Sequence, residues 1–161
     1  MRLLRSKWGA ATIGVAAIGT FAAVAFASSP SHFTATTLVT ANFANDVHLN
    51  SDRVKFQTKD PTDVRVQKIV VTAGGSSGWH HHPGIVIVAV ALGSVTVWSS
   101  DCSSTTYGPG LPDGAVFTES GTDPGEVTSA GGATTYATLI APHADPPVFR
   151  IEDAPRVPPC T

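Results

Sequence analysis

Beyond Lys7 the chain has no cluster of lysines or arginines, and that scarcity narrows its partners first. Ten Lys and Arg stand against 12 Asp and Glu in 161 residues. A mildly acidic chain without a basic stripe argues against nucleic acid or an anionic lipid surface as partner. Cysteine is nearly as scarce: only Cys102 and Cys160 occur, with no Cys-x-x-Cys and no histidine beside either, which speaks against a thiol nucleophile or a zinc site built on them. One Gly-x-Ser-x-Gly match occurs, Gly74-Gly75-Ser76-Ser77-Gly78, but no helix follows it as a nucleophile elbow requires. The glycine-rich Gly74 to Gly78 is not followed by the helix that phosphate loops and dinucleotide fingerprints require. Amphipathic helical stretches, internal repeats and a second domain are also missing, and nothing after residue 27 is apolar for long enough to span a bilayer as a helix.

The amino terminus is unlike the rest. Arg2, Arg5 and Lys7 precede the charge-free Trp8 to Ala27, which ends Ala25-Phe26-Ala27. A basic head, an apolar middle and small residues at the minus-three and minus-one positions describe a secretory signal peptide, residues 1–27, and so a secreted or extracytoplasmic protein. The alternative is a permanent membrane anchor, since twenty apolar residues suffice to cross. Cleavage after Ala27 would leave seven Lys and Arg against 12 Asp and Glu, a formal charge of −5, in a chain sized for one domain. After cleavage no membrane partner is expected. Outside the cytoplasm Cys102 and Cys160 most simply form one disulfide. It would close a loop of about 58 residues, contribute ~4 kcal/mol on the chain-entropy model, and pin the Pro-rich tail Ala154 to Thr161.

Along the remaining chain the elements read as strands. Residues 28–50 are expected to be a flexible leader, Ser28 to Thr36, followed by a first strand at Thr37 to Thr40 and an edge-pairing segment at Asp46 to Leu49, and residues 51–161 the folded domain. Val54 to Thr58 and Val64 to Val71 alternate with period two, separated by the turn chemistry of Lys59 to Asp63. Ile85 to Leu92 is continuously apolar and β-branched, which predicts a strand buried on both faces. Leu92-Gly93-Ser94 predicts a hairpin into Val95 to Trp98. Further strands are expected at Ala115 to Thr118, Thr134 to Ile140 and Val148 to Ile151, with loops at Asp101 to Gly110 and Ser120 to Gly132. Many short strands with turns between them make an all-β sandwich or barrel.

The stretch most charged with chemistry is Gly74 to Gly93, GGSSGWHHHPGIVIVAVALG. In a strand His80 and His82 point to one face and His81 to the other. Two convergent imidazoles are half of a typical site for Zn, Fe, Ni or Cu. Gly74, five residues, His80-His81-His82, three residues, Val86, six residues and Gly93 resemble the first motif of the cupin superfamily, in which a glutamate stands at the position of Val86. With Trp79 before and Pro83-Gly84 after, the segment is most similar to small secreted bacterial single-domain cupins. The resemblance runs from about Lys55 to Ile151 and implies a cupin-like β-barrel, the double-stranded β-helix or jelly roll. It also implies a second motif with a ligating histidine and an asparagine, which the chain does not supply: no His lies between His82 and His143 and no Asn follows Asn50.

Two of four expected metal ligands are thus in place. A carboxylate would complete a two-His-one-carboxylate set, and Glu119 and Glu126 are the candidates. Carboxylate oxygens more than about 5 Å from both rings would make a closed site untenable, because metal bonds are roughly 2 Å long. Trp79, Trp98, Phe117 and Tyr136 are either pocket lining or core, and His143 is expected in a loop. Three readings follow. One is a barrel that binds a small apolar or weakly polar ligand without chemistry. Another is a metal-dependent oxygenase or isomerase carrying Fe, Mn, Zn, Ni or Cu on His80, His82 and one glutamate. The third is a cell-surface partner protein.

Overall fold

The computed structural model describes residues 27–156 and Cys160. Except for Ala27, the stretch read as a signal peptide lies outside the described residues, as do residues 157–159 and 161 of the tail. Among the described residues no helix is long and apolar enough to cross a membrane.

Ten strands follow one another among the described residues, as β1 (Ser31–Phe43), β2 (His48–Asn50), β3 (Lys55–Gln57), β4 (Thr62–Ser76), β5 (His80–Gly93), β6 (Val95–Ser99), β7 (Ser104–Tyr107), β8 (Val116–Ser129), β9 (Ala133–Pro142) and β10 (Ile151–Glu152). Four of them close a ring. β4 pairs β9, β9 pairs β5 and β5 pairs β8, all antiparallel. The far end of β4 then returns to β8 through Gly75↔Ser129 and Ser76↔Thr128. β1 extends this sheet beyond β4, while β6 and β7 extend it beyond β8. β10 pairs the start of β5, and β2 and β3 form a separate hairpin.

Side-chain alternation fills the ring. Val86, Val88 and Val90 of β5 face inward with Phe117 and Val127 of β8 and Ala137 and Leu139 of β9. Each valine so buried contributes roughly 1.5–3 kcal/mol relative to exposure. The odd positions of β5 face outward instead: Ile85 is 49% exposed and Ile87 42%. The expectation of a strand buried on both faces is therefore corrected, because among the described residues no second layer covers the outside of β5.

Three other expectations are corrected as well. β5 and β6 do not pair as a hairpin; β6 bonds β7 and β8. Gly93, at φ +72°, turns the chain away where a Cβ would stand 2.1 Å from the carbonyl of Gly132, so the corner between the strands is a glycine position. The Gly- and Pro-containing stretch from Ser120 is mostly strand rather than loop, since β8 continues to Ser129 with partners in β5, β6 and β4. Nor is the leader flexible with a four-residue strand after it. Ser31–Phe43 pairs β4 from Ser31↔Ser76 to Phe43↔Thr62, and its β-branched threonines suit a ladder despite a turn-like composition. Even Ser28 is tied down, its backbone N donating to the Asp153 carbonyl at 2.8 Å and its hydroxyl accepting from the Trp79 N–H.

Candidate metal centre

Between β4 and β5 the chain reverses at Ser77-Gly78, where Gly78 has φ +67°. Period two then sends His80 and His82 into the barrel, both buried, and sends His81 outward, where its Nδ1 lies 2.7 Å from Asp153 Oδ2. The two inner rings are 4.9 Å apart, edge to face. Opposite them the ladder is irregular. His80 faces Gly125, His82 faces Gly121 and Ile85 faces Ser120, so β8 carries two extra residues and β5 two in turn, Pro83 and Gly84. The bulge fits a proline that cannot donate to a ladder. One step on, Val86 faces Glu119, and this places the Glu119 carboxylate on the histidines' side.

Ligand atoms of His80, His82 and Glu119 all lie within 4.8 Å of one another. Hydrogen bonds fix how the rings present themselves. His80 Nδ1 is 2.8 Å from the Gly78 carbonyl and His82 Nδ1 is 2.5 Å from the Phe149 carbonyl. A carbonyl only accepts, so each Nδ1 carries the proton and, in the neutral ring, each Nε2 is a bare lone pair. His82 Nε2 is buried and, among the described residues, has no hydrogen-bond partner; it lies 3.5 Å from Glu119 Oε2. Burial lowers the pKa of His80 to about 4, helped by the positive charge of Arg150 and opposed by Glu119. Burial pushes Glu119 up, but the adjoining His82 and the positive charge of Arg150 outweigh it, holding the carboxyl below its ordinary value. The result is a desolvated carboxylate facing imidazole lone pairs.

Glu126 does not join this group. It lies an odd number of residues from Glu119 and next to the inward Val127, so its carboxylate is turned to accept from Ser76 Oγ at 2.5 Å. Trp79 and Phe117 are buried. Trp98 is part-buried, its Nε1 donating to Thr128 Oγ1 at 3.0 Å. Tyr136 lies between inward Thr135 and Ala137 and is exposed on the outer face. His143 Nδ1 is 2.9 Å from the buried Asp63 carboxylate. Cys102 and Cys160 are disulfide-bonded. Sequence reasoning missed the part in the site of the segment before the tail, namely the Phe149 carbonyl on His82 and Asp153 on His81.

The triad forms one pole of an interior cavity of about 380 Å³ whose walls include Val86, Val88, Phe117, Val127 and Leu139. On its other side it borders a more polar cleft with Trp98, Asp101 and Asp123. A cupin-2 domain protein from Rhodospirillum rubrum superposes with a TM-score of 0.50 at 11% identity, over 80% of this chain and 69% of that one. The chain has the cupin fold. No family model and no curated protein sequence matches it. Other solved structures similar to this cupin barrel include a conserved protein of unknown function from Streptococcus pyogenes, with TM-score 0.48, 13% identity, and coverage of 70% of this chain and 76% of that one. Another is the salicylate 1,2-dioxygenase of Pseudaminobacter salicylatoxidans, with TM-score 0.40 and 16% identity over 47% of this chain. The cupin chain spans only 20% of that enzyme's length.

Proposed function

We propose that the barrel binds a small molecule against a divalent transition metal ion, Fe, Mn, Zn, Ni or Cu, held by His80, His82 and Glu119. The observation that carries this reading is the orphaned His82 Nε2, buried and aimed at the Glu119 carboxylate. An unpaired buried polar atom costs about 1–3 kcal/mol, and a cation between the lone pairs and the carboxylate removes that penalty. Two imidazoles and one carboxylate form a donor set suited to these metals. The Gly78 and Phe149 carbonyls hold the protons at the two Nδ1 atoms, leaving both Nε2 atoms free to coordinate. The apolar walls keep water from the ligand's body. The Cys102–Cys160 disulfide supports an extracytoplasmic location, as does the signal-peptide pattern of residues 1–27.

A metal-dependent enzyme is the second reading, favoured by a triad of only three protein ligands at the pole of a cavity. A metal bound there would supply Lewis-acid or O₂-activating chemistry.

Metal analysis of tag-free protein tests the centre. About one metal per chain is expected, lost in His80→Ala, His82→Ala and Glu119→Gln. Protein that takes up none of the five metals, or holds as much in the variants, defeats the proposal.

A further inference from the structure

The cavity holds a second polar feature, remote in kind from the histidines. Arg65 lines it from β4, next to Gln67 on the same parity. Its Nε donates to Thr40 Oγ1 at 3.3 Å, and its guanidinium lies over the Phe149 ring, 4.2 Å from the centroid. Among the described residues it forms no ion pair. The carboxylates that could have taken that role are engaged elsewhere. Asp63, two residues before it, bonds His143 and the Ala144 N–H. Glu152 is held by Arg150, which also donates to the Ser77 carbonyl. Glu119 faces the histidines. Arg65 is thus a half-buried guanidinium fixed by a ring and a hydroxyl against the cavity wall, with its terminal nitrogens uncommitted. A planar fork of donors in such a setting matches a carboxylate in shape and charge.

We infer that the cavity takes a small amphipathic carboxylate whose acid group is received by Arg65 and whose apolar body runs along Val86, Phe117, Val127 and Leu139 toward the triad. This rests on the small-molecule reading of the barrel above, and it sharpens that reading to one chemical class. The volume of about 380 Å³ suits a single ring or a short chain. The lining is mostly apolar, which disfavours a strongly polar acid such as a sugar acid, because several of its hydroxyls would be desolvated against apolar walls.

The test is calorimetric titration of tag-free, disulfide-intact protein with benzoate, hexanoate and the two corresponding amides, before and after removal of metal with EDTA. The acids are expected to bind at least about tenfold more tightly than the amides in both forms. Arg65→Gln removes the preference while leaving zinc stoichiometry unchanged, and Arg65→Lys retains part of it. Equal binding of acids and amides, no binding of either acid, or a preference that survives Arg65→Gln overturns the inference. The wild-type comparison of acid with amide decides the matter even where Arg65→Gln lowers the melting temperature. Acid preference in a protein that holds no metal would sink the metal centre alone, whereas metal retention without acid preference would sink this inference alone.

Discussion

Val86 of β5 and Glu119 of β8 stand directly opposite each other across their ladder, both on the inner face of the barrel. Directly opposed residues hold their Cβ atoms about 4.5–5.5 Å apart. The position at which the resembled motif has its glutamate is thus filled by valine, and a carboxylate arrives from the strand alongside.

Glu119→Val should abolish metal binding, and adding Val86→Glu to that variant should restore a measurable part of it, because the carboxylate returns one strand over on the same face. Zinc titration of the single and double variants checks this; a double variant no better than Glu119→Val alone would show that the two positions do not share the site.

Metal-free protein should lose stability as pH falls from about 6.5 to 4. His80 is buried and neutral, with a folded value of about 4, whereas an unfolded histidine takes its proton near 6.5. In that window the unfolded chain binds more protons, so stability rises with pH, by up to about 3 kcal/mol across it. Urea melts across the range should show a slope that flattens in His80→Gln.

A second acid-sensitive contact acts lower on the scale. The hydrogen bond from His143 holds Asp63 below its ordinary value, against the effect of burial, with help from the Ala144 N–H. Its contribution is complete above the unfolded value of about 3.9 and is lost as pH falls through the folded one. Asp63→Asn is expected to cost about 1–3 kcal/mol at pH 7, with the gap to wild type closing as pH falls through the lowered folded value. A constant gap in denaturant melts down to pH 2 would contradict the assignment.

Replacing Cys102 and Cys160 together by serine should lower stability by about 4 kcal/mol on the chain-entropy view. It should also weaken zinc binding, since the segment before the tail, which supplies the Phe149 carbonyl to His82, is then held only by noncovalent contacts. Melting curves and zinc titrations with and without dithiothreitol on the wild type should reproduce both effects.

Much of the fold was legible because its signals are local. The spacing from Gly74 to Gly93 and the period-two positions of His80 and His82 placed two imidazoles on one face. The same parity separates the two candidate glutamates. Seven residues divide them, and the bulge in β8 inserts two residues opposite His80 and His82, an even number that leaves the alternation intact. Glu119 therefore faces inward with Phe117, and Glu126 does not. What could not be read depends on distant pairings. His82 and Phe149 are 67 positions apart, and no local pattern joins them. The outward exposure of Ile85 and Ile87 depends on what else covers the sheet, which an apolar run does not state. The Ser- and Thr-rich start of β1 resembled a linker because its order comes from β4 rather than from its own composition.

The disulfide divides the site by covalent topology. Residues 102–160 form a closed ring that contains Glu119, Phe149 and Asp153, while His80 and His82 sit on the open arm before it. A protease that cuts any one bond within the ring leaves a single covalent molecule, its histidines and carboxylate still tethered. A cut between Pro83 and Asp101 yields two chains joined only by strand pairing. That vulnerable stretch is largely β5, flanked by β8 and β9, and β6, flanked by β7 and β8. Its backbone is engaged on both sides and cannot extend into a protease cleft without opening the barrel.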